Sequence, residues 1–182
     1  MKLKLLAGLT LLTLVACNGK QDASTDQSSE PLDTTLVEAP KESKVPDDFY
    51  FVEYVNPRFA FRCEYPSFLD KGEAPANGDG RVFSNKELVI TVYGSYDELG
   101  NDDINDAFAA AKSKTDTLQM QKDNWYLLAG NNNGNVYHRK TLVVDGAFVT
   151  ALVTYPAHLS KVYAPIVDKV LTSLEAVKPI KQ

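Results

Sequence analysis

Only two cysteines, two histidines, two methionines and one tryptophan occur in the 182 residues. Two cysteines cannot build a disulfide framework. Two histidines without a His-x-x-x-His, His-Glu-x-x-His or Cys-x-x-Cys spacing leave no local zinc signature. No Gly-x-Ser-x-Gly elbow is present either, so the familiar hydrolase turn is missing. Basic excess is absent too: the net charge is −5, which removes the electrostatic footprint of a nucleic-acid binder. After residue 16 no apolar run approaches the ~18 residues of a spanning helix.

What is present begins at the N-terminus. Lys2 and Lys4 precede an apolar run, Leu5 to Leu14, with the length of a secretory h-region, ~7–15 residues. Leu14-Val15-Ala16-Cys17 follows where small residues are expected before a cut. These four residues resemble the lipobox of bacterial lipoproteins. The resemblance implies acylation (palmitate or a similar chain) of the Cys17 thiol, removal of residues 1–16 as a signal peptide, and Cys17 as the new N-terminus. One acyl chain at ~0.8 kcal/mol per buried CH₂ holds only marginally, so stable anchoring takes the two or three chains such proteins carry. The expected location is the cell envelope, facing periplasm or exterior. Asn18 after the cysteine leans towards an outer membrane.

Residues 17–48 form the lipidated end and a tether. Its 18–48 portion has no aromatic residue, eight acidic and three basic residues, and hence a charge of −5. Such composition cannot bury enough apolar surface to offset chain entropy and predicts disorder. Its reach is ~100 Å extended and ~30 Å as a coil. Residues 49–182 carry only −2 and form the globular domain.

Within that domain Phe59, Phe61, Cys63 and Tyr65 alternate with Ala60, Arg62 and Glu64, a half-buried strand ending at Pro66. Arg81–Asn85 reads as a short strand. The segment 87–94 is apolar on both faces and predicts cover above and below. Ile104, Ala107, Phe108 and Ala111 have helical spacing. Strands are expected near 118–128, 135–144 and 147–155, joined by tight turns at Asn133-Gly134 and Asp145-Gly146. A last helix is expected with Pro165 in its first turn and a stripe running from Ile166 to Val177. The order predicts an α+β fold, an antiparallel sheet of about six strands packed by helices.

Tyr54-Val55-Asn56-Pro57-Arg58-Phe59 with Glu64-Tyr65-Pro66, and later Thr154-Tyr155-Pro156 with Tyr163-Ala164-Pro165-Ile166-Val167, resemble the opening and ending of PsbP-like domains. The resemblance implies an α/β/α sandwich and, for many members, non-catalytic binding or assembly roles beside membranes. It carries no functional residue across.

Candidate chemistry is sparse. Cys63, on the Phe59–Phe61–Tyr65 face, reads as a core residue rather than a nucleophile. His138 lies in a strand and His158 in a link. Asp97, Glu98, Asp102, Asp103 and Asp106 lack the calcium-loop pattern and suit a helix start. Asn77-Gly78-Asp79-Gly80-Arg81 reads as a turn. Phe49, Tyr50, Phe51 and Tyr54 crowd the domain's start, either as packing or as a partner surface; Trp125, Tyr126 and Tyr137 read as sheet residues. These features predict a non-catalytic envelope module, bound to the membrane through lipid on Cys17 and to an envelope protein partner, with no cofactor. A hydrolase with a loop-built site, or an immunity or inhibitor lipoprotein, are the alternatives.

Overall fold

The computed structural model describes residues 45–96 and 103–177. Cys17, the signal and most of the tether lie outside them, as do Asp97, Glu98 and Asp102. Ten strands and two α-helices fold as β1 (Phe51–Asn56), β2 (Phe61–Pro66), β3 (Asp70–Lys71), β4 (Gly80–Ser84), β5 (Val89–Ser95), α1 (Ile104–Ala111), β6 (Asp116–Lys122), β7 (Trp125–Asn132), β8 (Asn135–Val144), β9 (Ala147–Pro156), α2 (Ser160–Ser173) and β10 (Glu175–Ala176). The fold is α+β, as expected. The six-strand estimate is corrected: there are two antiparallel sheets, β1-β2-β10 and β3-β4-β5-β9-β8-β7-β6.

Period-two alternation explains the larger sheet's two faces. The register pairs Ile90 with Val153, Val92 with Ala151 and Leu142 with Val149, so these side chains share one face. That inner face meets α2 and the smaller sheet in a single core containing Phe61, Phe83, Tyr163, Val167 and Val170. Tyr65 of β2 stacks on Phe83 of β4, and Tyr155 of β9 meets Tyr163 of α2. Gly94 sits where a Cβ would lie 2.1 Å from the Phe59 ring, so its missing side chain lets that ring lie on the sheet. The outer face is covered at one end by α1, whose Ile104 and Phe108 pack on Tyr126, Leu128, Val143 and Phe148.

Several local expectations need correction. The strand expected over 118–128 is two strands, because Asp123-Asn124 form a two-residue turn between Lys122 and Trp125. Neither turn residue has positive φ, so the usual Asn-Gly signature is missing. The other two turns carry it: Asn133 and Gly134 at φ 51° and 82°, Asp145 and Gly146 at 47° and 78°. The segment 87–94 is covered on one face; Ile90 and Val92 are buried, whereas Val89 is exposed.

The last helix starts at Ser160, and Pro165 stands inside it rather than in its first turn. The missing N–H leaves the Lys161 carbonyl to solvent, which is tolerable because both residues face outward. Val177 is not on the helical stripe: the helix ends at Ser173, and β10 leaves to pair with β2. Lys140 closes this helix end, donating from Nζ to the carbonyls of Leu171 (2.7 Å) and Leu174 (3.2 Å). Both carbonyls belong to the set a helix C-terminus leaves unbonded, and the positive charge suits the dipole there.

Candidate functional site

Alternation along β8 sends His138, Lys140 and Leu142 inward and Tyr137, Arg139 and Thr141 outward. Tyr137 and Arg139 of the outward set meet the part of the sheet that α1 leaves uncovered, whereas Thr141 is buried. A hollow of about 270 Å³ opens there, lined by Asp116, Leu128, Asn132, Tyr137, Arg139 and Leu152 among others. It continues into a second hollow of about 340 Å³ that shares Asn132, Tyr137 and Leu152 and adds Thr154. Arg139 also reaches Tyr93, whose hydroxyl accepts from Nη2 at 3.4 Å. Tyr93 in turn borders a shallow groove of about 430 Å³ with Pro75, Val82 and Thr91. A strip of tyrosine, arginine and aliphatic side chains thus crosses the outer face.

Arg139 is the unusual member. Its guanidinium is half-buried, its buried Nε has no hydrogen-bond partner among the described residues, and no described carboxylate stands at ion-pair distance. Burial opposes its charge, while the Tyr93 hydroxyl and the field of Asp116 favour it, and the balance raises its pKa. The Tyr137 hydroxyl donates to Asp116 Oδ1, and burial first, then this carboxylate, pushes the phenol's pKa up. The phenol is therefore a fixed donor at neutral pH. With one carboxylate and one guanidinium, this site offers directed hydrogen bonds of both signs on an apolar floor. Such a set is suited to holding a polar group.

The residues singled out from the sequence lie elsewhere. Phe49 packs edge-on against Phe51 and Phe68, and Tyr54 against Phe61 and Phe83. Tyr50 points outward, 68% exposed. Trp125 packs against the inner core and Tyr126 beneath α1. Cys63 is buried, with the Val170 carbonyl at 3.6 Å and the Ser173 hydroxyl at 3.8 Å as its neighbours. Burial pushes its thiol up to about 12, far from a reactive thiolate. His138 accepts or donates through Nε2 to the Tyr155 hydroxyl at 2.9 Å, and burial lowers its pKa. His158 is exposed.

Asp103 caps α1, its carboxylate accepting from the Asn105 N–H at 2.7 Å, and that bond holds its pKa below the usual range. Gly78 turns with φ 68°, and Asp79 pairs with Arg58 at 2.8 Å. Among the described residues no group of three or more His, Cys, Asp or Glu could hold a metal ion. Nor is any described helix long and apolar enough to cross a membrane. Arg139, Asp116 and Tyr93 escaped the sequence reading. The parity of β8 gave a signal, since it sets Tyr137 and Arg139 against Leu142 and Val144, but only the strand order brings Asp116 and Tyr93 to them.

Comparison with known proteins adds the fold. No family profile matches the chain, and no curated protein matches it in sequence. The solution structure of the cyanobacterial PsbP (CyanoP) of Synechocystis sp. PCC 6803 is similar, with a TM-score of 0.51 and 12% identity. That match covers 74% of this chain and 98% of the cyanobacterial one, so the PsbP-like fold is shown. A crystal structure from Bacteroides thetaiotaomicron VPI-5482 is 17% identical with a TM-score of 0.47. This match covers 70% of the present chain and 48% of the Bacteroides chain, so the similarity spans about half of that protein.

Proposed function

We propose that this chain is a non-catalytic binding or assembly module, held in the cell envelope by lipid on Cys17 and carried on an acidic tether. The observation that carries the binding part is the uncovered outer face, where half-buried Arg139 lies between Tyr93 and Tyr137 without an ion-pair partner among the described residues. The unbonded, buried Nε–H of that guanidinium is a donor that a bound acceptor would satisfy. The PsbP-like fold supports the same reading, and the Leu14–Cys17 segment supports the anchor.

The test is photocrosslinking in intact cells from a probe at Leu152, beside Arg139. A defined heterologous adduct that disappears with Arg139→Met is the expected result. Recovery of the uncrosslinked chain alone, with the probe shown to be active, overturns the binding role. The anchor is tested apart from this, by fatty-acid incorporation. Cys17→Ser abolishes it if the reading is right, and unchanged incorporation with unchanged membrane retention refutes it.

A further inference from the structure

Two opposite charges face the hollow of about 270 Å³ without meeting. Asp116 lines it from β6 and Arg139 from β8, and no described carboxylate stands at ion-pair distance from that arginine. Strand β7 runs between them: Asp116 pairs with its Gly130 and Arg139 with its Leu128. Two strand spacings, ~9.5 Å, therefore separate the backbones, and only the side chains reach the shared space. The floor there is apolar, made by Leu128 and by Leu152 of β9.

Each charge is tied back in its own place. The Asp116 carboxylate accepts from the Tyr137 hydroxyl at Oδ1 and from the Ser113 N–H at Oδ2, the latter at 2.7 Å. Gln119 Nε2 reaches Oδ2 only at 3.5 Å. Tyr137 can lie across β7 towards Asp116 because Gly130 has no side chain; a Cβ there would stand 2.5 Å from the hydroxyl. An ionised carboxylate has about four acceptor positions, so Oδ1 keeps one for a further donor. Among the described residues Arg139 gives only one of its N–H groups away, to the Tyr93 hydroxyl at 3.4 Å. Free to move, a guanidinium and a carboxylate would close into their strong bidentate contact. Held apart, they offer a donor and an acceptor of opposite charge to whatever lies between.

What fits is a group with both signs on neighbouring atoms. An α-ammonium and an α-carboxylate are joined through one carbon, and with a hydrogen bond of ~2.9 Å at each end they bridge up to ~8 Å. A hollow of about 270 Å³ is of that width. A carboxylate alone would meet Asp116 as a like charge, and an ammonium alone would meet Arg139 as one; a zwitterion is matched at both ends. An apolar side chain on the same carbon would lie over Leu152, towards the adjoining hollow of about 340 Å³.

Resting on the reading of the Arg139 face as a binding surface, we infer that its hollow takes a free α-amino acid with an apolar side chain. The carboxylate sits on Arg139 and the ammonium on Asp116.

Titration calorimetry of the full chain carrying Cys17→Ser, with leucine as the probe, tests the site. Leucine should bind saturably. N-acetyl-leucine, which lacks the ammonium, and 3-methylbutylamine, which lacks the carboxylate, should each bind roughly tenfold more weakly, or worse. Arg139→Met should abolish leucine binding with the fold intact by circular dichroism. Asp116→Asn should weaken leucine but not N-acetyl-leucine, bringing the two near parity. No saturable leucine binding by the parent chain, or equal affinity for leucine and N-acetyl-leucine, overturns the site without recourse to any variant. A preference for leucine that survives Asp116→Asn overturns the placing of the ammonium. A Leu152 photocrosslink that persists while leucine fails to bind sinks the amino-acid site alone and leaves the broader binding role standing.

Discussion

The two faces of the seven-stranded sheet are made by the same strands and alternate residue by residue, yet they have opposite characters. On the inner face Ile90, Val92, Val149, Ala151 and Val153 are fully buried under α2 and the small sheet. On the outer face the eight-residue α1 covers one end, and Leu152, Thr154, Tyr137 and Arg139 are left half-exposed. A closed face stores stability, and an open one is available for recognition. Asymmetric cover is what distinguishes the two faces of this sheet.

Replacing neighbours on opposite faces probes that asymmetry most strongly. Ile90→Ala should cost ~2–5 kcal/mol by urea denaturation, because the inner face cannot collapse around the lost atoms. Leu152→Ala should cost ~1 kcal/mol, since solvent already reaches it. Equal losses would break the distinction. Beneath α1 the outer face is closed, and a buried hydroxyl pair there, Thr141 and Thr150 at 2.8 Å, gives the next effect. Thr150→Val should cost ~1–3 kcal/mol by orphaning Thr141, and adding Thr141→Val should recover most of it.

Cys63 sharpens the inner side. Its folded pKa, near 12, lies above that of an exposed thiol, so the folded state holds the proton longer. That contribution to stability is complete below about pH 8.5 and is lost as pH rises towards 12. Cys63→Ala should flatten part of this decline in a pH series of denaturation midpoints. The Tyr155 phenol, also raised by burial, supplies another part. The smallest effect belongs to the outer surface of the small sheet, where Arg62 pairs with Glu53 and Glu175 while all three stay about half exposed. Arg62→Gln should leave the midpoint nearly unchanged in ~0.15 M salt, where such pairs are screened.

Much of this was readable from sequence where local chemistry decides. The α1 stripe and the limits of β8 emerged because the 3.6 and 2.0 periods are strong there and the flanking turns need positive φ. β6 and β7 merged in the reading because the Asp123-Asn124 turn needs no special backbone. Proline rules placed Pro165 at a helix start, but a solvent-facing sixth position is sterically adequate. The division into two sheets was not readable, since β2 takes its second partner from β10, far along the chain. The Arg139 strip was hidden for the same reason: its members come from β5, β6, β8 and β9, and only the strand order makes them neighbours.

The pairing of β2 with β10 also bears on how the chain is made. Arg62 meets Glu175 across 113 positions, and the Glu64 N–H donates to the Ser173 hydroxyl across 109. The small sheet therefore stays unfinished until nearly all of the described chain has left the ribosome. Until then the aromatic face of β2 lacks α2 above it and has only neighbours such as Tyr54 and Phe83 to pack on. Assembly of this domain is a late event, set by the arrival of residues 160–176 rather than by the folding of its first half.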